Sequence, residues 1–244
     1  MNNGKKMKHS LFSRLLAFCL LCCGAAAAPA LVSCERDDYD KGQGDYSLMQ
    51  ADFVEAHANS AKNIDYVVTD EGDSLLIATT FTAKWISTPD SIYRAILYYN
   101  KVNDGRSAEV ISLSRPLTAS IHAPDYFKKE GIKTDPVHLE SLWIGKNRRY
   151  LNLSMLLMVG RNDTEDKALH SLGVIADTVI THADGTRTGC LRLYHDQGGV
   201  PEYYSQRTYL CIPIRHLHVD SLQLTVNTYN DGPVTKTLPV KPPL

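Results

Sequence analysis

The chain has 244 residues, with 26 Lys and Arg against 27 Asp and Glu and 43% apolar side chains. Four of the basic residues, Lys5, Lys6, Lys8 and Arg14, fall in the first 33 positions, where no acid occurs; the other 211 residues therefore hold 22 cationic side chains against 27 anionic ones, a formal charge of −5. That excess argues against a nucleic-acid partner, which is bound by neutralising its phosphates with lysine and arginine.

Residues 1–33 run from the basic start through an apolar stretch, Leu15 to about Leu21, to the alanine-rich Ala25 to Ala30, the order of an export signal. Pro29 and the small residues make this a poor permanent span, which needs about 20 strongly apolar residues. Cleavage at an Ala-x-Ala site would leave Cys34 as an ordinary residue. The stretch Leu31-Val32-Ser33-Cys34 instead resembles a bacterial lipobox, which implies that the Cys34 sulfur takes a diacylglyceryl group and that its freed amino group is then acylated, a palmitate-type modification. Cys22 and Cys23 lack the small residue at the cut site. Several acyl chains on one residue hold a protein to a membrane essentially for good.

After Cys34 comes a tether over residues 34–45, acidic, glycine-containing and nearly free of apolar residues, which cannot bury enough surface to pack. Its acids Glu35, Asp37, Asp38 and Asp40 resemble the surface-export signal of Bacteroidetes lipoproteins, implying a surface-exposed outer-membrane lipoprotein.

From Tyr46 on, short apolar or alternating runs are broken by turn residues, and no stretch keeps a helical period beyond about two turns. The expectation is an all-β chain. Strands are predicted at Ser47 to Ala56, Asn63 to Thr69, Ser74 to Phe81, Ser91 to Asn100 and Ala108 to Leu113, with turns at Asp70-Glu71-Gly72-Asp73 and Asn103-Asp104-Gly105. Five strands in a domain of residues 46–118 match a small OB-like barrel. Residues 119–136, with Pro124, Gly131 and Pro136, read as a linker with room for one helical turn. Seven further strands are predicted over 137–244: Val137 to Ile144, Tyr150 to Val159, His170 to Val179, Thr188 to His195, Tyr203 to Ile214, Ser221 to Asn227 and Val234 to Val240. With no long crossover helix, they fit a seven-stranded β-sandwich.

The signal and lipobox, the acidic tether, "YRAILYYN" in the fourth strand, "LESLWIGKNRRYLNLSMLLM" and "LRLYHDQGGVPEYYSQRTYLCIPI" together resemble the NigD-like lipoproteins of Bacteroidetes. That resemblance implies an N-terminal OB domain, a C-terminal β-sandwich and an envelope role linked by name to a bacteriocin operon. It brings no catalytic residues. Cys190, Cys211 and the long Asn59 to Asn63 loop depart from it.

A non-enzymatic binding or interaction module is expected, with a polysaccharide, a peptide or an envelope protein as partner and the membrane reached through the lipid. No Gly-x-Ser-x-Gly, Ser-x-x-Lys or His-Glu-x-x-His motif occurs. Asp196 and Glu202, flanking Gly198-Gly199, are the carboxylates an envelope hydrolase would use. Trp85, Tyr98 and Tyr203 are candidate ring surfaces for a ligand; alternation sends Tyr98 and Tyr99 to opposite faces, one of them into the core. His216-Leu217-His218 would set two imidazoles on one strand face, an arrangement commoner at a strand end than in a zinc site, so neither metal nor cofactor is expected. Cys190 and Cys211, on neighbouring strands if the chain between them forms a hairpin, are a possible disulfide. Asp73-Ser74-Leu75, Asp90-Ser91-Ile92, Asp177-Thr178-Val179 and Asp220-Ser221-Leu222 resemble the O-glycosylation pattern of exported Bacteroidetes proteins, and equally the way a turn leads into a strand.

Overall fold

The structure, a computed structural model, describes Gly44, residues 46–127, Lys129, and residues 131–160 and 168–240. Cys34 and the acids Glu35, Asp37, Asp38 and Asp40 lie outside the described residues. Met1–Ser47 and Leu48–Leu244 are separate units, and everything that follows belongs to the second.

All five expected N-terminal strands form: β1 (Gln50–Ala58), β2 (Ile64–Thr69), β3 (Ser74–Phe81), β4 (Ile92–Val102) and β5 (Ser107–Ser114). They close into a barrel in the order β1-β2-β3-β5-β4, with β3 and β5 parallel. The two-residue period decides what fills it: Val54 and Ala56 of β1 and Ala95, Leu97 and Tyr99 of β4 point inward. Tyr99 is wholly buried and donates its hydroxyl to Asp52 at 2.8 Å. The Asn59 to Asn63 loop is held by its first side chain, whose Oδ1 accepts from the Ala61 and Asn63 amides at 2.9 and 3.1 Å.

The sandwich is built on β8 (His138–Ile144), β9 (Tyr150–Val159), β10 (Ser171–Thr181), β11 (Arg187–Asp196), β12 (Tyr204–Pro213), β13 (Ser221–Thr228) and β14 (Gly232–Pro239), the seven strands expected. Two more strands join it. The last residues expected for the barrel domain form β6 (Leu117–Thr118), parallel to β12, and the stretch expected as a linker lays β7 (Ile121–His122) parallel to β10, makes a single 3-10 turn at Pro124–Phe127, and bridges Thr134 to His195. Two-residue edge strands are too short to show an alternation, which is why the sequence hides them. The sheets run β14-β13-β11-β10-β7 and β6-β12-β9-β8. Between them Leu151, Leu153 and Met155 of β9 meet Leu191 and Leu193 of β11, Leu210 and Ile212 of β12, and Leu222 and Leu224 of β13.

Arg94 and Glu55 stand on the outer face of the barrel's β4 and β1, yet both are buried, because the four-stranded sheet packs over them. Arg94 donates to both Asp70 oxygens, at 2.7 and 2.6 Å, and to Asn152 Oδ1 on β9 at 2.9 Å. Asn152 donates in turn to Asp70 Oδ2 at 2.9 Å. The guanidinium lies between the Tyr150 and Phe53 rings, 4.0 and 5.3 Å from their centroids. Phe53 meets Trp143 and Tyr209 of the sandwich edge-on at 5.5 and 5.3 Å. Burial pulls Arg94 toward deprotonation, but its contacts with the Asp70 carboxylate and with Cys211 together offset this and hold its pKa above the ordinary arginine value. Gly145 is obligatory at the joint, since a Cβ there would lie 2.7 Å from the Asp70 Cβ.

Candidate functional site

The β8–β9 turn is anchored on the barrel. The Asn147 amide donates to the Asp70 carbonyl at 2.9 Å, its side chain donates to the Thr69 carbonyl at 2.9 Å, and Arg149 forms an ion pair with buried Glu55. Between these two anchors Arg148 sits at φ +56°, a left-handed conformation that non-glycine residues seldom adopt. Its exposed guanidinium has no hydrogen-bond or ion-pair partner among the described residues; it lines an open cavity of about 540 Å³ at one end of the sandwich.

Three other segments complete the cavity: the β10–β11 hairpin tip (Asp184, Thr186, Arg187), the β12–β13 loop (Leu217, His218, Asp220) and Val240 after β14. Arg187 is positioned at both ends. Its amide donates to Asp220 Oδ2 at 2.8 Å, and Nη1 donates to the His218 carbonyl at 2.9 Å. Asp184 accepts from the Thr186 hydroxyl at 2.7 Å and from the Thr186 amide at 2.9 Å; these bonds hold its pKa below the usual aspartate value. Asp184 thus serves its own hairpin tip and Asp220 ties the β12–β13 loop to Arg187, whereas both arginines line the cavity with guanidinium donors to spare. A guanidinium presents a planar fork of donors and stays charged at any physiological pH, so the arrangement suits recognition of an anion better than proton transfer.

The residues singled out from sequence do not converge. Trp85 packs on the barrel core and meets Tyr93 edge-on at 5.7 Å, Tyr98 is half-buried on β4, and Tyr203 stands 73% exposed before β12. Asp196 accepts from the Gly198 amide at 2.9 Å, while Glu202 accepts from Gln197 at 2.8 Å and from the Tyr229 hydroxyl at 2.9 Å. His216 and His218 lie in a turn and loop beyond β12 rather than on one strand face; only His218 reaches the cavity. No group of three or more potential metal ligands occurs among the described residues.

The disulfide considered possible between Cys190 and Cys211 does not form; both are free thiols. The chain between β11 and β12 does not form a hairpin but crosses from one sheet to the other. Because the neighbouring Leu191, Leu210 and Ile212 point into the core, each cysteine points away from it, on opposite outer faces of the sandwich. Cys211 is buried against the barrel, opposite Asn152, and burial raises its pKa despite the nearby Arg94 charge. Cys190 is half-buried, with Sγ 3.6 Å from Gln223 Oε1.

Arg148 and Arg187 gave no sequence signal, because nothing in their spacing joins a turn held by the barrel to a hairpin tip in the other sheet. Asp184-Gly185 is a turn signal that could have located the tip, but it does not say what the tip faces.

No protein-family model and no curated protein matches the chain. Solved structures do. A NigD-like immunity protein from Bacteroides caccae aligns with a TM-score of 0.61 at 24% identity, over 77% of this chain and 91% of that one. A candidate toxin-related protein from Parabacteroides distasonis gives 0.58 at 20% identity over 78% and 92%, and a candidate lipoprotein from Bacteroides fragilis gives 0.54 at 12% identity over 79% and 98%. At these identities what is shared is the fold, an OB-like barrel followed by a β-sandwich.

Proposed function

We propose that this chain is a NigD-like, lipid-anchored outer-membrane protein that acts from the cell surface by binding, without catalysis, and that its ligand carries a carboxylate or phosphate on a glycan. The paired guanidiniums of Arg148 and Arg187 at the open cavity carry the reading. Leu217, Val219 and Val240 give the cavity an apolar side that suits the C–H face of a sugar ring. The lipobox ending at Cys34 and the acids behind it support the anchor and the outward location.

The ligand class is tested by thermal unfolding of the signal-free chain with glucuronate, galacturonate or inorganic phosphate, and with glucose as the neutral control. A ligand at ten times its Kd stabilises by about 1.4 kcal/mol, about 3–5 °C for a chain of this size. The anions should give such a shift, glucose should not, and Arg148→Ala should abolish it. Equal responses to all four compounds would remove the anion reading. Cys34→Ala should lose incorporation of an alkyne-tagged palmitate in cells.

A second reading, an accessory or immunity protein for a bacteriocin, is favoured by the fold shared with the Bacteroides caccae protein. A deletion strain that becomes sensitive to a co-encoded toxin would support it, and unchanged sensitivity would remove it.

A further inference from the structure

At one end of the sandwich His170, just before β10, meets His195 of β11, with their rings nearly parallel. His195 is 1% exposed and His170 half-buried. Three polar contacts run in series: His195 Nδ1 to the Asp135 carbonyl at 2.9 Å, His195 Nε2 to His170 Nδ1 at 2.9 Å, and His170 Nε2 to the Met158 carbonyl at 3.1 Å.

The number of protons needed follows from the chemistry of the end groups, whichever tautomers are drawn. Carbonyl oxygens only accept, so the two outer contacts require N–H at His195 Nδ1 and at His170 Nε2. Two neutral imidazoles hold two ring protons, and both are then spent. The inner nitrogens would face each other with lone pairs at 2.9 Å, which is repulsive. A neutral pair must therefore give up one contact, whereas one added proton makes the inner contact an N–H···N bond and satisfies all three.

We propose that His170 and His195 form a proton-sensed latch, closed when the pair shares one additional proton, that fastens the ends of β9 and β10 and the 133–135 segment to the end of β11. The His195 amide donates to the Lys133 carbonyl at 3.1 Å, and the Asp135 amide donates to the His195 carbonyl at 2.9 Å. Leu169, next to His170, approaches so near that its carbonyl oxygen would lie 2.3 Å from a Cβ on Gly198. The latch thus bears on the loop that leads to exposed Tyr203.

Among the described residues the surrounding charges are few. The 133–135 segment brings Lys133 and Asp135, whose carboxylate accepts from the Gln197 amide at 2.8 Å. On β11, Asp196 follows His195, opposite Ser171. Glu202 stands behind Gln197 and is bonded to Tyr229, and β9 offers the Met158 carbonyl. Burial, and after it the proximity of His195, lower the pKa of His170, so the added proton enters on the acid side of its ordinary value. The unfolded chain takes up two protons there and the folded pair takes one, so global stability falls with acid while the latch closes. Only a local measurement can test it.

That measurement is imidazole ¹⁵N NMR together with amide exchange on the folded protein from pH 7.5 to 5, corrected for the intrinsic pH dependence of exchange. The pair should take up one proton in a coupled step, with a slowly exchanging imidazole N–H appearing as it does so. Protection at the His195 and Asp135 amides should rise about tenfold, the worth of one hydrogen bond. His170→Gln, which keeps a donor but cannot titrate, should keep the fold's dispersed amide spectrum and lose the pH dependence. Independent titration of the two rings, or an equal rise in the variant, would overturn the proposal.

Discussion

Removing the Asp70 carboxylate should show what holds the barrel to the sandwich. The side chains of Arg94 and Asp70 are 3% and 10% exposed, so Asp70→Ala strands a cation where water cannot reach it. Breaking a buried pair in this way costs about 3–5 kcal/mol. The Asn152 acceptor and the two flanking rings remain and keep the loss from exceeding that range. Against a total stability of about 5–15 kcal/mol, the change is large. With a urea slope near 2–3 kcal/mol/M, the midpoint should fall by about 1–2.5 M. The two tryptophans permit a separate reading of each half, because Trp85 lies in the barrel and Trp143 on β8 against Phe53. Urea unfolding followed by fluorescence in Trp143→Phe and Trp85→Phe backgrounds should show both halves weakened. Glu71→Ala, which breaks the neighbouring exposed pair with Lys146, should leave the midpoint where it was. Asp70→Leu with Arg94→Met, which removes both charges, should recover most of the loss. The reasoning is refuted if Asp70→Ala melts with Glu71→Ala, or if the double variant is no more stable than Asp70→Ala.

Glu140, held by Arg207 and then by the Ser154 hydroxyl, has its pKa lowered to about 2. Its contribution is present above the ordinary value of 4.5 and is lost as pH falls through about 2; a side-chain carboxyl NMR titration with a midpoint near 4.5 would contradict the contact geometry. In the folded chain without the signal segment, a thiol reagent should label Cys190 and leave Cys211 untouched until unfolding, and mass mapping reads this directly. Gly198→Ala should destabilise by about 1–2 kcal/mol for the left-handed φ of +60° alone, and by more for the Leu169 carbonyl in its path, as measured by urea unfolding.

Strand positions were legible because each core strand repeats its apolar side chains with period two: Leu151, Leu153 and Met155 fix β9 without any knowledge of its neighbours. Tyr98 and Tyr99 divided between surface and core as alternation requires. What local pattern cannot encode is pairing between segments distant in sequence. The parallel edge strands β6 and β7, the crossing from β11 to β12 that separates Cys190 from Cys211, and the burial of Arg94 all depend on which sheet a strand joins. Arg94 in particular reads as an exposed outward position of a barrel strand, and it is one until a second sheet covers that face. The cavity was hidden for the same reason, since its four segments meet only after both sheets have formed.

The barrel can serve a binding role without touching the ligand. The turn that presents Arg148 is fastened by Asn147 to the Thr69 and Asp70 backbone and by Arg149 to Glu55, so the barrel fixes the turn's conformation at the point where one residue is left-handed. An arginine on a free turn would lose side-chain and backbone entropy whenever it closed on an anion. Here the backbone part of that loss is met on folding, by bonds that also seal the buried Arg94–Asp70 pair. Asp70 therefore stands behind two properties: its carboxylate holds the barrel to the sandwich, and its carbonyl, with the same carboxylate 3.5 Å from the Asn147 side-chain nitrogen, steadies the turn that carries the cavity's least constrained guanidinium. Weakening the first should loosen the second, and weaker anion binding should accompany the lower urea midpoint in Asp70→Ala.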